Sequence, residues 1–385
     1  MSHIESNKQL IDLVFERSSL IRDRLSFPSI NDRFCEGSRA VLPWINGYLN
    51  ARDDYGYDVI KAKEYLSSIG QNSSDIANRF RGGMLGLALG DALGTTLEFS
   101  QRDTLPELTE IVGGGPFNLK PGEWTDDTSM AICLAHSLIR KEGFVAQDVM
   151  DLFYLWWKRG IFSVNNKCFD IGDTVRDALI RYENTQEPFA GNNSPTAAGN
   201  GSLMRLLPIV LFNFSNIDQC VEACASSSKL THQATEAVDA CRYFGALITA
   251  AIRGEPKDTI TGSFYEPVPG FWQRRPMTSS IVQLAANIHS RTRNEIKSTG
   301  YVIDTLEAAL WAFHNSNTFE NGALLAANLG GDSDTVAAVY GQLAGAYYGE
   351  MRINTNWIRT LSKYHIFYHY ADQLLRFGVC DYRPR

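Results

Sequence analysis

The sequence predicts an all-α protein. Three observations carry this. Apolar residues recur every three or four positions through most of the chain, as in the stripe Val238, Cys241, Phe244, Gly245 and Ile248. No convincing run alternates apolar and polar residues as a half-buried strand would. One stretch is crowded with small residues at helical spacing, namely Gly82, Gly83, Gly86, Ala88, Gly90, Ala92 and Gly94. Glycine weakens a helix, so its repeated use there points to close helix contacts or close backbone approach to a ligand.

In chain order, residues 1–76 form a distinct region. Leu10, Ile11, Leu13, Val14, Phe15, Leu20 and Ile21 recur at helical spacing, and Pro28 and Pro43 punctuate it. Tyr48, Tyr55, Tyr57 and Tyr65 make it aromatic enough to pack or bind something, and residues 71–74 read as a polar joint. We read 1–76 as a helical N-terminal extension and 77–385 as the main domain. From Phe80 the glycine-rich helix begins. Further helices are expected at 128–141, 146–158, 170–183, 202–212, 217–228, 234–253, 279–290, 303–314, 320–328, 335–350 and 355–375. No repeat of fixed period and no low-complexity tract interrupts them.

Composition narrows the function. The chain carries a net charge of −7 over 385 residues and has no long basic run, which argues against nucleic-acid binding. No stretch of about 18 apolar residues offers a membrane span, and the polar start is not a signal peptide. The seven cysteines are odd in number and read as free, buried thiols in a reducing compartment. The expected location is the cytoplasm.

Three constellations carry chemistry. Gly122-Glu123-Trp124-Thr125-Asp126-Asp127-Thr128 sets two carboxylates and flanking hydroxyls before a helix. These are oxygen ligands for a hard divalent cation, although taken alone the segment reads first as the acidic start that any helix favours. Asn328-Leu329-Gly330-Gly331-Asp332-Ser333-Asp334-Thr335 repeats the pattern. Together, four carboxylates and two threonines suit a pair of cations, which in two-metal sites lie about 3.5–4 Å apart. Gly199-Asn200-Gly201-Ser202-Leu203-Met204-Arg205 is a glycine-rich turn running into a helix, a seat for phosphate; residues 113–115 form a second flexible turn.

Single residues add to these. Glu98 lies among apolar neighbours, where burial would suit acid–base work, or it is a plain surface carboxylate. His232 could donate to a ligand, or cap a helix or sit in the core. Tyr301 could stack on a base or ribose, or pack in the core.

The ordered set resembles the ADP-ribosylglycohydrolase family. The segments are GGMLGLALGDALG, LEF, GEWTDDTSM, GNGSLMR, TH, GYVIDTLEAALWAF and GGDSDTVAAVYGQLAGAYYG, from about Phe80 to about Glu350. The resemblance implies an orthogonal helical bundle with a binuclear Mg²⁺ or Mn²⁺ cleft. It places Thr125, Asp126, Asp127, Asp332, Asp334 and Thr335 as metal ligands. Glu98, Asp126 and Asp334 would be catalytic. Gly114, Gly115, Asn200, Gly201, Ser202, His232, Tyr301 and Asp170 would line the ADP-ribose site. Gln233 departs from the Pro-His that follows in many relatives.

The implied reaction is hydrolysis of ADP-ribose from arginine on ADP-ribosylated proteins. Serine-linked ADP-ribose, O-acetyl-ADP-ribose and non-catalytic binding are the alternatives. Similar enzymes occur beside ADP-ribosyltransferase toxins as immunity proteins, so residues 1–76 are read as an arm that binds such a toxin, or as a helical brace on the core.

Overall fold

The computed structural model describes residues 71–378. Its helices are α1 (Gln71–Gly94), α2 (Asp126–Lys141), α3 (Ala146–Arg159), α4 (Asp173–Thr185), α5 (Leu207–Phe212), α6 (Ile217–Lys229), α7 (Thr235–Ile252), α8 (Lys257–Thr261), α9 (Ser279–Asn287), α10 (Val302–His314), α11 (Phe319–Ala327), α12 (Ser333–Tyr348), α13 (Thr355–Thr360) and α14 (His365–Gly378). Short 3-10 turns lie at Thr95–Leu97, Pro195–Ala197, Ile288–Ser290 and Glu350–Arg352. Among the described residues there is no strand, only isolated bridges such as Gly114 with Leu119 and Gly199 with Tyr301. The all-α prediction therefore holds. Residues 1–70 of the proposed extension lie outside the described residues.

The small-residue stretch sets the architecture. It forms α1, which runs antiparallel to α12. A Cβ placed at Gly82, Gly86, Gly90 or Gly94 would lie 2.3, 2.2, 2.0 or 2.3 Å from the backbone oxygen of Gly345, Gly341, Ala337 or Ser333. The contact is reciprocal: a Cβ on Gly341 would lie 1.9 Å from Gly86 O. Two backbones this close leave no room for side chains in the seam. Both helices are covered on every side, with Met84, Leu87, Ala88, Leu93, Val336, Val339 and Leu343 buried, as expected of a central helix. The seam fixes the C-terminal end of α1 beside the N-terminal end of α12.

Three sequence expectations are corrected. The polar joint at 71–74 is instead the first turn of α1. The helix expected over 202–212 begins only at Leu207. Before it, the Gln342 amide takes over the backbone pairing. Its Nε2 donates to Leu203 O (3.2 Å) and Met204 O (2.7 Å), and its Oε1 accepts from Leu207 N (2.8 Å). A fully buried glutamine on α12 thus holds residues 203–207 as a turn. The helix expected over 355–375 is two helices, α13 and α14. Between them Lys363 has a left-handed φ of 52°, and Ser362 N–H donates to Gly122 O at 2.9 Å. The loop before α2 therefore docks in the break. The five-residue α8 was not expected at all.

Candidate active site

Asp91 stands one turn before the end of α1 and organises the start of α2. Its Oδ1 accepts from Thr125 N–H (2.8 Å) and Thr125 Oγ1 (2.9 Å), and its Oδ2 accepts from Thr128 N–H (3.0 Å) and Thr128 Oγ1 (2.6 Å). These four bonds bind the TDDT turn to α1. They also hold down the Asp91 pKa, which burial nevertheless pushes up to about 6.

Around this anchor the structure gathers the carboxylates. Ligand atoms of Asp91, Asp127 and Asp334 lie within 4.8 Å of one another, and so do those of Glu98, Asp170 and Asp334. Asp334 belongs to both groups. Asp126 and Asp170 hydrogen-bond to each other. Thr125 Oγ1 lies 3.2 Å from Asp127 Oδ2 and 3.3 Å from Asp334 Oδ2, and Thr335 Oγ1 lies 3.5 Å from Asp127 Oδ2. Asp332 is reached through Asn200, whose Nδ2 donates to Asp332 Oδ2 (2.7 Å) and Thr305 Oγ1 (2.8 Å).

The electrostatics follow from this crowding. Burial, then the charges of Asp334 and Asp170, pushes Glu98 up to about 12. Burial and Asp126 push Asp170 up to about 10, and burial and Asp91 push Asp126 up to about 7. Asp127 is raised well above the carboxylate range by burial and Asp334, and Asp334 by burial and Asp332. So many carboxylates in a dry cleft stay ionised only beside positive charge. Glu98 Oε2 and Asp127 Oδ1 are buried and lack a partner, as oxygens awaiting a ligand would be. All-oxygen donors of carboxylate and hydroxyl type fit hard divalent cations.

Loops frame the cleft. Residues 113–119 form a small hairpin, with Gly114 N–H donating to Leu119 O at 2.7 Å and Leu119 N–H to Gly114 O at 2.9 Å. It is pinned beside Glu98, because Thr96 Oγ1 donates to Gly113 O at 3.0 Å and a Cβ on Gly115 would lie 2.0 Å from Thr95 O. Gly114 faces open space. On the other side Gly331, at φ 64°, exchanges backbone bonds with residues 99 and 100, Phe99 N–H to Gly331 O at 2.7 Å and Gly331 N–H to Ser100 O at 2.8 Å. This ties Glu98 to the Asp332–Asp334 segment.

The remaining predicted residues sit around this centre. Tyr301 is on the rim; its hydroxyl donates to Glu236 Oε2 at 2.6 Å, and its backbone bridges to Gly199. His232 is buried under the 199–201 turn. Ser202 is buried too, and its hydroxyl pairs with Ser228 Oγ at 2.9 Å and accepts from Cys241 Sγ at 3.5 Å. What it has to offer the cleft is its place in the turn.

Two features were not read from the sequence. Asp91 stands in the sequence only within the GDALG segment, and its place at the centre appears once α1 and α2 meet. The second is an aromatic run. Phe99 and Phe117 have ring centroids 6.4 Å apart, and Phe117 and Phe169 5.2 Å. Phe99 is 70% exposed and held at a left-handed φ of 59°, a strained choice for an aromatic residue. The signal was present, since Phe99 follows Glu98 and Phe169 precedes Asp170.

Comparison with known proteins agrees with this geometry. A family model described as ADP-ribosylglycohydrolase matches residues 72–381. ADP-ribosylarginine hydrolase Tri1 of Serratia proteamaculans is 40% identical over 301 residues, covering 78% of this chain and 80% of the relative. Tri1 of Pseudomonas putida is 42% identical over 285 residues, covering 74% of each chain. The ADP-ribosyl-[dinitrogen reductase] glycohydrolase of Rhodospirillum rubrum is 30% identical over 293 residues, covering 74% of this chain and 91% of the relative. A solved structure described as an ADP-ribosylglycohydrolase-related protein complex superposes with a TM-score of 0.68 at 39% identity, over 79% of this chain and 99% of that one. With the family matched over most of its length and the acidic cleft assembled from the motif segments, the chain belongs to the ADP-ribosylglycohydrolase family.

Proposed function

We propose that this chain hydrolyses the N-glycosidic bond between ADP-ribose and a protein arginine. The observation that carries the reading is the pair of carboxylate groups sharing Asp334, with Glu98 Oε2 and Asp127 Oδ1 buried and unpartnered beside them. The two Tri1 relatives, named as ADP-ribosylarginine hydrolases, support the choice of linkage.

Thr125, Asp126, Asp127, Asp332, Asp334 and Thr335 would hold two Mg²⁺ or Mn²⁺ ions. Bound there, the ions would offset the clustered negative charge, orient the ribose hydroxyls and act as Lewis acids. The chain's own residues supply the rest. Water adds at ribose C1″ while the C1″–N bond breaks through an oxocarbenium-like state. The guanidine leaves with the bonding pair and takes up a proton. Glu98, raised by burial and set beside Asp170 and Asp334, is suited to hold or pass that proton at Oε2. Asn200 keeps Asp332 in register. Phe99 and Phe117 stand beside Glu98 on the loops that frame the cleft. The free buried thiols Cys133, Cys220, Cys224 and Cys241 accord with a cytoplasmic setting. No helix among the described residues is long and apolar enough to cross a membrane.

The test is release of ADP-ribose from an arginine-ADP-ribosylated protein, with Mg²⁺ and with EDTA, beside an Asp126→Ala/Asp334→Ala variant. Metal-dependent release, lost in the variant, is expected. No release from arginine, with release from a serine-linked substrate, would overturn the linkage. Failure on both would leave a binding role only.

The second part of the proposal concerns the N-terminus. The aromatic residues Tyr48, Tyr55, Tyr57 and Tyr65 lie outside the family match at 72–381. This supports an arm that docks on a cognate ADP-ribosyltransferase toxin, so that the protein neutralises it both by reversal and by binding. Deleting residues 1–70 should leave hydrolysis intact and weaken that binding; unchanged binding would reject the arm.

A further inference from the structure

The GNGSLMR segment ends on Arg205, a guanidinium with no solvent exposure. Among the described residues it has no carboxylate within ion-pair distance. Nη2 donates to Thr231 Oγ1 at 2.7 Å, Nη1 meets Met130 Sδ at 3.5 Å, and Nε has no partner. The Phe153 ring lies 4.4 Å from Cζ. Burying a cation with so little compensation is costly. What the arrangement does provide is a definite proton order in its neighbours.

A guanidinium can only donate, so Thr231 Oγ1 accepts from Arg205. The Thr231 hydroxyl is itself fully buried and has one proton to place. Its other partner is His232 Nδ1, at 2.8 Å. If Nδ1 carried a proton, the threonine proton would be left without an acceptor in a dry site. The threonine proton and Nδ1 are both satisfied only when Thr231 donates to Nδ1. A neutral ring then bears its proton on Nε2. Burial, and then the charge of Arg205, pushes His232 down to about 3, which agrees with a neutral ring. Among the described residues, Arg205 is the charged group whose field reaches it.

Nε2 lies against the glycine-rich turn. A Cβ on Gly199 would sit 3.2 Å from Nε2, and one on Gly201 3.0 Å from Cε1. A Cβ at either position would press on the ring edge, and at Gly201 it would also meet Val175 Cγ2 at 2.9 Å. The same turn carries Asn200, the partner of Asp332.

We infer that Arg205 and Thr231 are positioning residues that lock His232 as a neutral imidazole with its proton on Nε2, presented at the Gly199 and Gly201 turn as a donor to an oxygen of a nucleoside-diphosphate sugar. The ligand half of this rests on the proposed ADP-ribose site; the lock itself does not.

The test uses the full chain labelled with ¹⁵N-histidine. The His232 signal, identified by its loss in His232→Gln, should show a bare Nδ1 and a protonated Nε2, unchanged between about pH 5.5 and pH 8.5. A protonated Nδ1, or titration in that range, would overturn the lock. Thr231→Val should lose the fixed tautomer and bind free ADP-ribose about tenfold more weakly by calorimetry, the loss of one good hydrogen bond. Thr231→Ser should restore both. If Thr231→Val does not fold, the wild-type spectrum and Thr231→Ser decide the lock. A confirmed lock with unchanged ADP-ribose affinity in Thr231→Val would overturn its use in binding while arginine hydrolysis stood. No binding of ADP-ribose by the wild type would overturn the ligand and the proposed function together.

Discussion

Replacing Gly90 by Ala tests whether the glycine seam is what places the site. The new Cβ would lie 2.0 Å from Ala337 O and 2.4 Å from Ala337 C, all of it backbone, where ordinary contact begins at 3.4 Å. No side chain can swing aside, so α1 and α12 must part by the difference, about 1.4 Å, or bend locally. Overpacking of this kind costs about 1–3 kcal/mol, and backbone opposition puts it at the upper end. Alanine returns about 1 kcal/mol of helix preference. The net is a loss of about 2 kcal/mol, or a Tm lower by about 3 °C in a domain of roughly 300 residues.

The functional effect should exceed the effect on stability. Asp91 is the next residue on α1, and Asp334 lies in the first turn of α12. Their ligand atoms belong to a group within 4.8 Å, so a shift on the order of 1 Å costs about a hundredfold in rate. Thermal unfolding in EDTA reads the first effect, and release of arginine-linked ADP-ribose with Mg²⁺ reads the second. Gly143→Ala is the control, because its Cβ would meet only Lys141 O, at 3.9 Å. A Gly90→Ala protein with wild-type Tm and rate would refute the reasoning.

Two further predictions follow from the acidic cleft. Asp91→Asn turns an acceptor of four hydrogen bonds into a group that opposes two of them. It should lower stability by about 2–4 kcal/mol and cut hydrolysis at least about a hundredfold; chemical denaturation and the release assay check both. In the absence of divalent ions, Asp91 and Asp126 have folded-state pKa values of about 6 and about 7, above the ordinary 3.8. The folded protein then binds more protons than the unfolded chain between about pH 4 and pH 7, so its stability is full below that window and is lost as pH rises through it. Tm in EDTA should therefore fall from pH 5 to pH 7.5, and Mg²⁺ should reverse the fall. A Tm that rises over this range would contradict the sign.

The helices were legible where a cap or a stripe marks them, as in α6 and α10, predicted within a residue or so of their ends. They were illegible where a distant residue sets the backbone. The turn before α5 depends on Gln342, more than 130 positions away, and the break between α13 and α14 depends on the loop at Gly122. No local pattern carries such information. The acidic clusters were plain in the sequence because their members are adjacent. Asp91 was not, since a single aspartate in a helix has no local signature. Arg205 stands in the sequence as the end of a motif, and its lack of a counter-ion among the described residues is a property of the fold.

The sequence left one question open at both acidic segments, a helix cap or a cation site, and the structure bears on it directly. Three other helices are capped by the side chain before them, while α9, after Thr278, is not. Asn216 accepts from Gln219 N–H, Thr318 from Asn321 N–H and Asn354 from Asn356 N–H. At α2 and α12 the corresponding residues are Thr125 and Asp332, and neither makes a side-chain cap bond. Thr125 turns its hydroxyl to Asp91, and Asp91 reaches across from α1 to take the Thr128 N–H that Thr125 would have taken. Asp332 is held by Asn200. Both helices thus direct their positive ends at the cluster while the residues placed to neutralise those ends are held elsewhere. An acidic helix start built only for stability would use its own cap. That both starts give it up at the same place favours a bound cation over a pair of coincident caps.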